Sequence, residues 1–426
     1  MTDEVTTSVP AATESVPVGA WALLRIRGFA ILYLNSAVVI LGVLAQTVAR
    51  GWLAFQLTGS NAALGGVLLA FGVTSLITTP WGGVAADRLP KRLMLQVAVG
   101  LLALSSIWIG LAVAFGVIEY WMLLGAGVLQ ALGFSLFGPV RMAFLADVVP
   151  RDALPGAVGL LLVNAEVNRV VGPAIAGALI AGLSFGLAAV FLIGAVLLTI
   201  GLGLTAALPT GRRRAATVAR SPLWELTDGL RYVAGRPDLG SLLWCGVGVA
   251  MLGLPYLAFL PTVASDLFGL GSVGYGVLSA TSAAGAVVAG LLLGRRAHRG
   301  RRSRTMAGAG VAVGLGLCGL ALSPVVWVAV VFLLVIGGAT LTFQTTNQSL
   351  LLSLSDMAYH GRLQGLVMIS FGAFGIAALP LGVLADVIGL RWTITGMGVG
   401  VIGVVLAVTY FSRGQVARAD RLHDLG

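Results

Sequence analysis

The feature that most constrains this chain is a succession of apolar runs, each about twenty residues long and separated by short polar segments. An α-helix of about 20 residues crosses the roughly 30 Å hydrocarbon core of a bilayer. Only 10% of the 426 residues are charged, against about 25% in soluble domains. The runs therefore predict an all-α membrane protein with twelve transmembrane helices. The predicted spans are approximately 29–50, 62–86, 93–116, 120–146, 154–182, 186–208, 239–262, 272–294, 305–323, 325–352, 363–385 and 391–412.

The basic residues predict how these spans are oriented. If both termini lie in the cytoplasm, nearly all of the 26 Lys and Arg residues fall in cytoplasmic segments, as the positive-inside rule requires. The net charge of +10 is then explained by topology, and no nucleic-acid partner is expected. We therefore predict a multi-pass protein of the cell membrane (inner or plasma membrane) with both termini in the cytoplasm.

One long polar break, at 209–238, divides the predicted spans into two groups of six. Within it, residues 222–234 carry apolar side chains at helical spacing, which indicates either an amphipathic helix on the membrane surface or a plain linker. Short matches between the halves, such as Asp147 with Asp356, indicate an internal repeat, as in many transporters. The predicted units are a disordered tail at 1–24, an N-terminal six-helix bundle at 25–208, the cytoplasmic linker at 209–238, a C-terminal six-helix bundle at 239–412 and a cytoplasmic tail at 413–426.

The residue types that carry enzymatic or metal chemistry are scarce and scattered in this chain. The three histidines lie in loops or in the tail, and the two cysteines lie in apolar runs. Neither a metal site nor a nucleophile with its base is therefore predicted. We expect no cofactor and no enzymatic activity.

Few charged residues fall inside the predicted spans, and each costs roughly 2.5–3.5 kcal/mol there unless it faces a partner or a wet cavity. Glu166 and Arg169 are three residues apart in the fifth span, so they share a helix face. Glu166 is a candidate to carry a coupling proton, and a static ion pair is the alternative. Arg141 and Asp147 are further coupling candidates, although Arg141 could equally extend to the cytoplasmic surface. Arg50 is expected to anchor the first span at the membrane interface.

Two further groups of residues in the spans are candidates for a transport role. Gly172, Pro173 and Gly177 predict a hinge or a tight helix contact in the fifth span, since proline removes one helical hydrogen bond and kinks the helix. Kinks that serve packing alone are the alternative. Polar and aromatic side chains in the spans are candidates to line a substrate cavity: Asn35, Gln46, Asn164, Asn168, Phe343, Gln344 and Asn347.

Three stretches of this sequence resemble a known family, the major facilitator superfamily. The stretch GGVAADRLPKR, between the second and third spans, is similar to the superfamily's signature, with matches at Gly82 or Gly83, Asp87, Arg88, Lys91 and Arg92 and with Pro90 where glycine is usual. The stretch VVGPAIAGAL resembles the Gly-Pro element of the superfamily's antiporters, with Ala176 in place of a second glycine. The runs QTVARGWLAFQLTGSNAALGGVL and FGPVRMAFLADVVPRDAL resemble the branch of enterobactin exporters and of macrolide or multidrug effluxers.

This resemblance implies the major facilitator fold, in which two pseudo-symmetric six-helix bundles rock about a central cavity. It implies that Asp87 contacts the N-terminal end of the eleventh span and closes an inner gate, and that Gly172, Pro173 and Gly177 form an antiporter hinge. The expected function is export of amphiphilic small molecules by proton antiport. The alternative is an importer or facilitator of a polar metabolite. The expected partners are a small-molecule substrate, a proton and the lipid bilayer, and a monomer is expected.

Overall fold

The computed structural model describes residues 20–150, 153–183, 186–209, 222–296, 302–356 and 359–411, with the backbone alone at 83–88 and at a few other positions. These residues are almost entirely helical. Their α-helices are α1 Ala20–Leu24, α2 Arg27–Thr58, α3 Asn61–Arg88, α4 Lys91–Ala114, α5 Tyr120–Val148, α6 Leu154–Gly182, α7 Gly186–Ala206, α8 Pro222–Ala234, α9 Pro237–Gly253, α10 Tyr256–Thr262, α11 Ser272–Arg296, α12 Arg302–Leu322, α13 Val326–Leu354, α14 His360–Ile388 and α15 Leu390–Phe411.

Twelve helical segments in the described part of the chain are long and apolar enough to cross a membrane, which confirms the predicted all-α membrane fold. Their bounds agree with the predicted spans to within a few residues at most ends. The first span differs most, because α2 continues to Thr58 and does not end near residue 50. The seventh span is broken between α9 and α10 at Pro255, which has no backbone N–H to continue the helical hydrogen bonding.

Successive spans run in opposite directions, so their ends lie at two faces of the molecule. We call the face at which α2 begins the near face and the face at which it ends the far face. Four glycines in the described part of the chain have a positive φ: Gly59 at 63°, Gly116 at 69°, Gly269 at 62° and Gly389 at 94°. All four lie in far-face turns, where glycine permits a tight connection between consecutive spans.

The spans pack into two bundles, α2–α7 and α9–α15. The near half of the first bundle has a hydrophobic core of its own, which includes Phe29, Leu95 and Phe144. The far half of this bundle belongs to a second core that continues into the other bundle, from Trp52 on α2 to Phe259 on α10. Apolar packing in the far half of the molecule therefore joins the two bundles.

Helical structure is found in part of the segment predicted to be a disordered tail. Residues 20–24, which the sequence assigns to a disordered tail, form α1, and Leu23 is 1% exposed in the core of the first bundle. Burial of an apolar side chain of this size contributes roughly 1.5–3 kcal/mol, which explains why this short segment is held against α2 and α6. Residues 1–19 and the predicted tail at 413–426 lie outside the described residues.

Pairs of glycines bring helices of the two bundles into close contact. On α3 and α14, a Cβ at Gly72 would lie 2.9 Å from the Cα of Gly375. On α6 and α11, a Cβ at Gly177 would lie 2.9 Å from the Cα of Gly276. Both contacts lie between the far face and the middle of the spans. Small residues allow membrane helices to approach this closely, so these positions need glycine.

The long polar break contains α8, at the residues where the spacing of apolar side chains indicates a helix. This helix lies against the near-face end of α14. Asp228 of α8 forms an ion pair with Arg362 of α14. The rings of Tyr232 and Tyr359 stack with their centroids 3.9 Å apart. These contacts hold α8 against the second bundle.

Candidate functional site

An ion pair lies in the middle of α6. Arg169 Nε is 3.6 Å from Glu166 Oε2, about one turn along the same helix face, as the spacing of three residues predicts. Among the described residues, none donates a hydrogen bond to Glu166 Oε2. The carboxylate therefore has a charge partner, while Oε2 remains able to accept a hydrogen bond.

Arg141, on α5, turns away from the near face. Its guanidinium carbon lies 5.3 Å from the ring centroid of Phe137, one turn back along the helix. The Nε and Nη1 atoms of Arg141 are buried and have no hydrogen-bond partner within the described chain. This geometry does not match a side chain extended to the membrane surface. The cation–π contact offsets only part of the cost of burying a charge, so Arg141 can still bind a group of opposite charge.

The expectation that Arg50 anchors the first span at the membrane interface is wrong. Arg50 is 5% exposed, because α2 continues for about two further turns to Thr58 and carries it into the first bundle. Its Nη1 donates a hydrogen bond to Oε1 of Gln130 on α5. The Nε and Nη2 atoms of Arg50 find no partner among the residues that the structure describes. Gln130 was not predicted as a partner of Arg50, because its position in the sequence gives no signal of this contact.

The motif between the second and third spans is described only in part. Only the backbone is described at 83–88, which includes Gly83, Asp87 and Arg88, so the contact between Asp87 and the start of α14 stays a prediction. The described part of the motif continues at the start of α4, where Arg92 lies in the first turn.

The remaining motif residue, Lys91, joins two helix ends at the near face. Its Nζ lies 2.6 Å from Oδ2 of Asp147, at the end of α5. It also donates a hydrogen bond to the carbonyl of Ala143 at 3.0 Å. Asp147, a predicted coupling candidate, thus has a cationic partner that ties α5 to α4.

The Gly-Pro element of α6 makes close helix contacts on two sides. The helix continues through Pro173. A Cβ at Gly172 would lie 3.0 Å from the Cβ of Leu44 on α2, within the first bundle, whereas Gly177 contacts Gly276 of the second bundle. The tight-contact interpretation therefore fits the geometry, and a hinge role remains a prediction.

Two of the predicted cavity residues lie inside the first bundle. Asn35 and Gln46 are 0% and 2% exposed. Asn35 Nδ2 donates a hydrogen bond to the carbonyl of Gly201 at 2.7 Å, and Gln46 packs against Gly194. Both partners belong to α7, so these side chains join α2 to α7 and do not line an open cavity.

Asn164 and Asn168, on α6, bond mainly to each other. Asn168 Nδ2 donates a hydrogen bond to Asn164 Oδ1 at 2.8 Å. Asn164 Nδ2 donates a longer one, of 3.5 Å, to the carbonyl of Tyr33 on α2. Both side chains are buried, so their polar atoms are mostly occupied within the first bundle.

The other three predicted cavity residues, Phe343, Gln344 and Asn347, line a pocket in the second bundle. The pocket has a volume of about 80 Å³ and lies between α13 and α9. Thr340 of α13 and Gly246 of α9 also line it, and neither was predicted from the sequence. The available signal was helical spacing, since Thr340 lies three and four residues before Phe343 and Gln344.

A contact between the bundles at the far face was not predicted from the sequence. Asp386, near the end of α14, accepts hydrogen bonds from the first residues of α3 and from Ser60, just before it. Its position near the end of the eleventh span marks it as a far-face acid. Its partner, however, is more than three hundred residues away in the chain.

Comparison with known proteins identifies relatives of this chain. A family model described as "Transmembrane secretion effector" matches residues 18–423. The staphyloferrin A transporter of Staphylococcus aureus is 22% identical over 387 residues, which cover 89% of this chain and 95% of that protein. Macrolide efflux protein A of Streptococcus pyogenes is 21% identical over 268 residues, which cover 63% of this chain and 64% of that protein.

Solved structures of transporters share this fold. The crystal structure of a bacterial homologue of the human lysosomal transporter Spinster, in an inward-facing and unoccupied conformation, superposes with a TM-score of 0.74. The alignment covers 93% of this chain and 98% of that one at 16% identity.

The predicted fold class, the efflux-branch resemblance and the prediction of a transporter, not an enzyme, are confirmed by these relatives. Because the family model matches nearly the whole chain, this protein belongs to the transmembrane secretion effector family and is a multi-pass membrane transporter of the major facilitator superfamily.

Proposed function

We propose that this protein is a secondary active exporter of amphiphilic organic small molecules, driven by proton antiport. The observation that carries this proposal is the way in which the two bundles meet. Their close glycine contacts, Gly72 with Gly375 and Gly177 with Gly276, lie between the far face and the middle of the spans. Backbone contacts of this kind involve no interlocked side chains, so they can separate when the bundles rock. The relative that is named a macrolide efflux protein supports export of such molecules.

The near face is the cytoplasmic face in this proposal. Lys91, Arg92, Arg302 and Arg362 all lie at the near-face ends of spans, as the positive-inside rule expects for cytoplasmic ends. The closed far face is then the outer face. Substrate would enter the gap between the bundles from the cytoplasm or from the inner leaflet. Both termini, including the tail predicted at 413–426, would lie in the cytoplasm, and the predicted bundle bounds 25–208 and 239–412 belong to the same proposal.

Glu166 carries the coupling proton in this proposal, and Arg169 is its partner. Protonation of Glu166 would leave Arg169 without its negative partner, so the charge on α6 would change as the gap opens to one side and then to the other. Since α6 also contacts α11 of the second bundle through Gly177, a change in its charge acts on a helix that touches both bundles.

Transport by purified protein in proteoliposomes tests this proposal. We expect a pH gradient to drive uphill movement of an amphiphilic dye from the near-face side to the far-face side. Glu166→Gln should lose this driven movement but keep dye exchange at equal pH, because exchange requires no proton. Glu119→Gln is the matched control, since Glu119 lies at the far face and contacts Trp121. Unchanged driven transport in Glu166→Gln would refute the coupling role, and accumulation in the opposite direction would favour an importer.

A further inference from the structure

One face of α13 concentrates uncharged polar side chains on a pocket in the second bundle. Thr340, Gln344 and Gln348 are spaced four residues apart on this face, as are Phe343 and Asn347, and all five residues line the pocket. Its volume of about 80 Å³ is well below the roughly 300–1,000 Å³ of sites that enclose a whole drug-sized ligand. The pocket can therefore take one end of such a molecule.

The pocket contains a hydroxyl group that the helix itself leaves free. Thr342 and Thr346 each donate a hydrogen bond of 2.7 Å to the carbonyl four residues before them. Thr340 lies on the same helix and lines the pocket, yet the described residues provide no partner for its buried Oγ1. A threonine in a membrane helix commonly satisfies its hydroxyl on the preceding turn. Thr340 is therefore an unsatisfied polar group at the pocket wall.

Asn347 provides a second unsatisfied group in the same pocket. Its side chain is 6% exposed, and its Oδ1 has no hydrogen-bond partner in the described part of the chain. On the opposite wall, a Cβ at Gly246 would lie 2.8 Å from Asn347 Nδ2, so glycine on α9 leaves room for this amide. A buried polar atom without a partner costs roughly 1–3 kcal/mol, and a bound donor would remove this cost.

The rest of the pocket wall determines the charge of the ligand. None of the described residues that line it is charged. Moving an ionised group out of water without a counter-charge is far more costly than moving a hydroxyl or an amide. Arg141, Glu166 and Arg169 all belong to the first bundle, so the second bundle supplies recognition without formal charge.

We propose that this pocket binds the uncharged end of an amphiphilic substrate and pairs one hydrogen-bond donor of that end with Asn347 Oδ1. Thr340 provides a second polar contact, and Phe343 provides apolar surface. This inference rests on the proposed function for the identity of the ligand as a transported molecule. In this arrangement the second bundle selects for an uncharged group with one hydrogen-bond donor, while the charged residues of the first bundle serve proton coupling.

Binding of three related probes to the full chain in lipid nanodiscs tests this inference. N-phenyl-1-naphthylamine is uncharged and has one N–H donor. Its N-methyl derivative lacks the donor, and 8-anilinonaphthalene-1-sulfonate adds a fixed negative charge to the same ring system. Binding to empty nanodiscs is subtracted in each case. We expect the N-methyl derivative to bind roughly 3- to 10-fold more weakly than the parent amine, the range expected for one hydrogen bond. We expect the sulfonate to bind more weakly still.

Variants of the pocket residues identify the protein group that accepts the hydrogen bond from the probe's N–H. In Asn347→Leu, the ratio of Kd values for the N-methyl and parent amines should fall to about 1, because the acceptor is gone. Thr340→Val should weaken binding of the parent amine, and the matched Thr342→Val should not, since the Thr342 hydroxyl is already bonded to Gly338. Gly246→Ala should weaken binding as well, because its Cβ displaces the Asn347 amide. These two variants also test the pocket if Asn347→Leu fails to fold.

The result that would overturn the inference is a Kd ratio that Asn347→Leu leaves unchanged. A sulfonate that binds as tightly as the parent amine, or the absence of saturable binding of that amine, would overturn it equally. None of these measurements uses a pH gradient. A wild-type protein that binds the probes as expected but does not export them would refute the proposed function and leave the site standing.

Discussion

Asp386, near the end of α14 in the second bundle, accepts two hydrogen bonds from Asn61, the first residue of α3 in the first bundle. The backbone N–H of Asn61 donates at 2.8 Å and its side-chain amide at 2.9 Å. The other carboxylate oxygen accepts from Ser60 Oγ at 2.6 Å and from Ala62 N at 3.0 Å. The first N–H groups of a helix have no partner within the helix, and a carboxylate is favoured at that end. A residue of one bundle thus caps a helix of the other at the far face.

Removal of this cap should favour opening of the far face. Asp386→Asn removes the negative charge and one of the two acceptor oxygens at the start of α3, and loss of a favourable charge at a helix end costs up to about 1 kcal/mol, or roughly a fivefold change in a two-state population. Val117 and Val325 are exposed far-face residues of the two bundles. Double electron–electron resonance between spin labels at these two positions should show a larger fraction of long label-to-label distances. Asp266→Asn is the control, because Asp266 also lies near the far face. An unchanged distance distribution in Asp386→Asn would show that the cap does not hold the face closed.

The glycine contact between α6 and α11 should be needed for transport at the normal rate. Gly177→Ala places a Cβ 2.9 Å from the Cα of Gly276, so the helices must move apart, and transport rate should fall by at least several-fold. Gly159→Ala is the matched control on the same helix, since a Cβ at Gly159 meets nothing within 4 Å. Alanine favours a helix over glycine by roughly 0.5–1 kcal/mol, so the control should be neutral or slightly more stable. Equal transport rates in the two variants would contradict the need for glycine at this contact.

The sequence predicts the membrane spans and α8 because hydropathy and helical spacing are local properties of a chain. It does not predict the surroundings of Arg50, because the apolar pattern continues past residue 50 without marking where α2 ends. It cannot pair Asp386 with Asn61, since a single sequence contains no information on which distant residues meet. It also places Asn35 and Gln46 in a cavity although they bind α7, because polarity alone does not distinguish a cavity wall from a helix contact. Thr340 could have been predicted as a pocket residue, because it lies four residues before Gln344 and so on the same helix face.

The pair formed by Lys91 and Asp147 should behave as a structural contact. Both side chains are 12% exposed, so Asp147→Asn alone should lower stability by about 2–4 kcal/mol, since removal of one partner leaves a largely buried charge unpaired. The double variant Lys91→Met with Asp147→Asn should be more stable than Asp147→Asn alone. Thermal unfolding in nanodiscs measures this, and the folded Asp147→Asn protein should keep proton-driven transport. If the Asp147→Asn protein folds but loses proton-driven transport, Asp147 has a role in proton coupling and is not only a structural contact.

Gln130 should stabilise the buried guanidinium of Arg50. Gln130→Leu removes the acceptor for Arg50 Nη1 and should lower the stability of the protein by about 1–3 kcal/mol. Gln130→Glu should restore or raise it, because the carboxylate supplies a counter-charge. The control is Gln56→Leu, at an exposed position of α2. Thermal unfolding midpoints in nanodiscs measure these differences. Equal midpoints for Gln130→Leu and the control would show that the hydrogen bond to Gln130 does not stabilise the buried Arg50.

Alternating access of the two bundles is tested most directly by distances measured at both faces of one protein sample. Spin labels at Val117 and Val325 report the far face, and labels at Leu93 of α4 and Leu291 of α11, both exposed, report the near-face half. As pH is lowered or dye is added in nanodiscs, we expect the far-face distance to lengthen while the near-face distance shortens. Distances that stay fixed at both faces in a sample that transports, or that lengthen together, would contradict the rocking of two bundles about a shared gap.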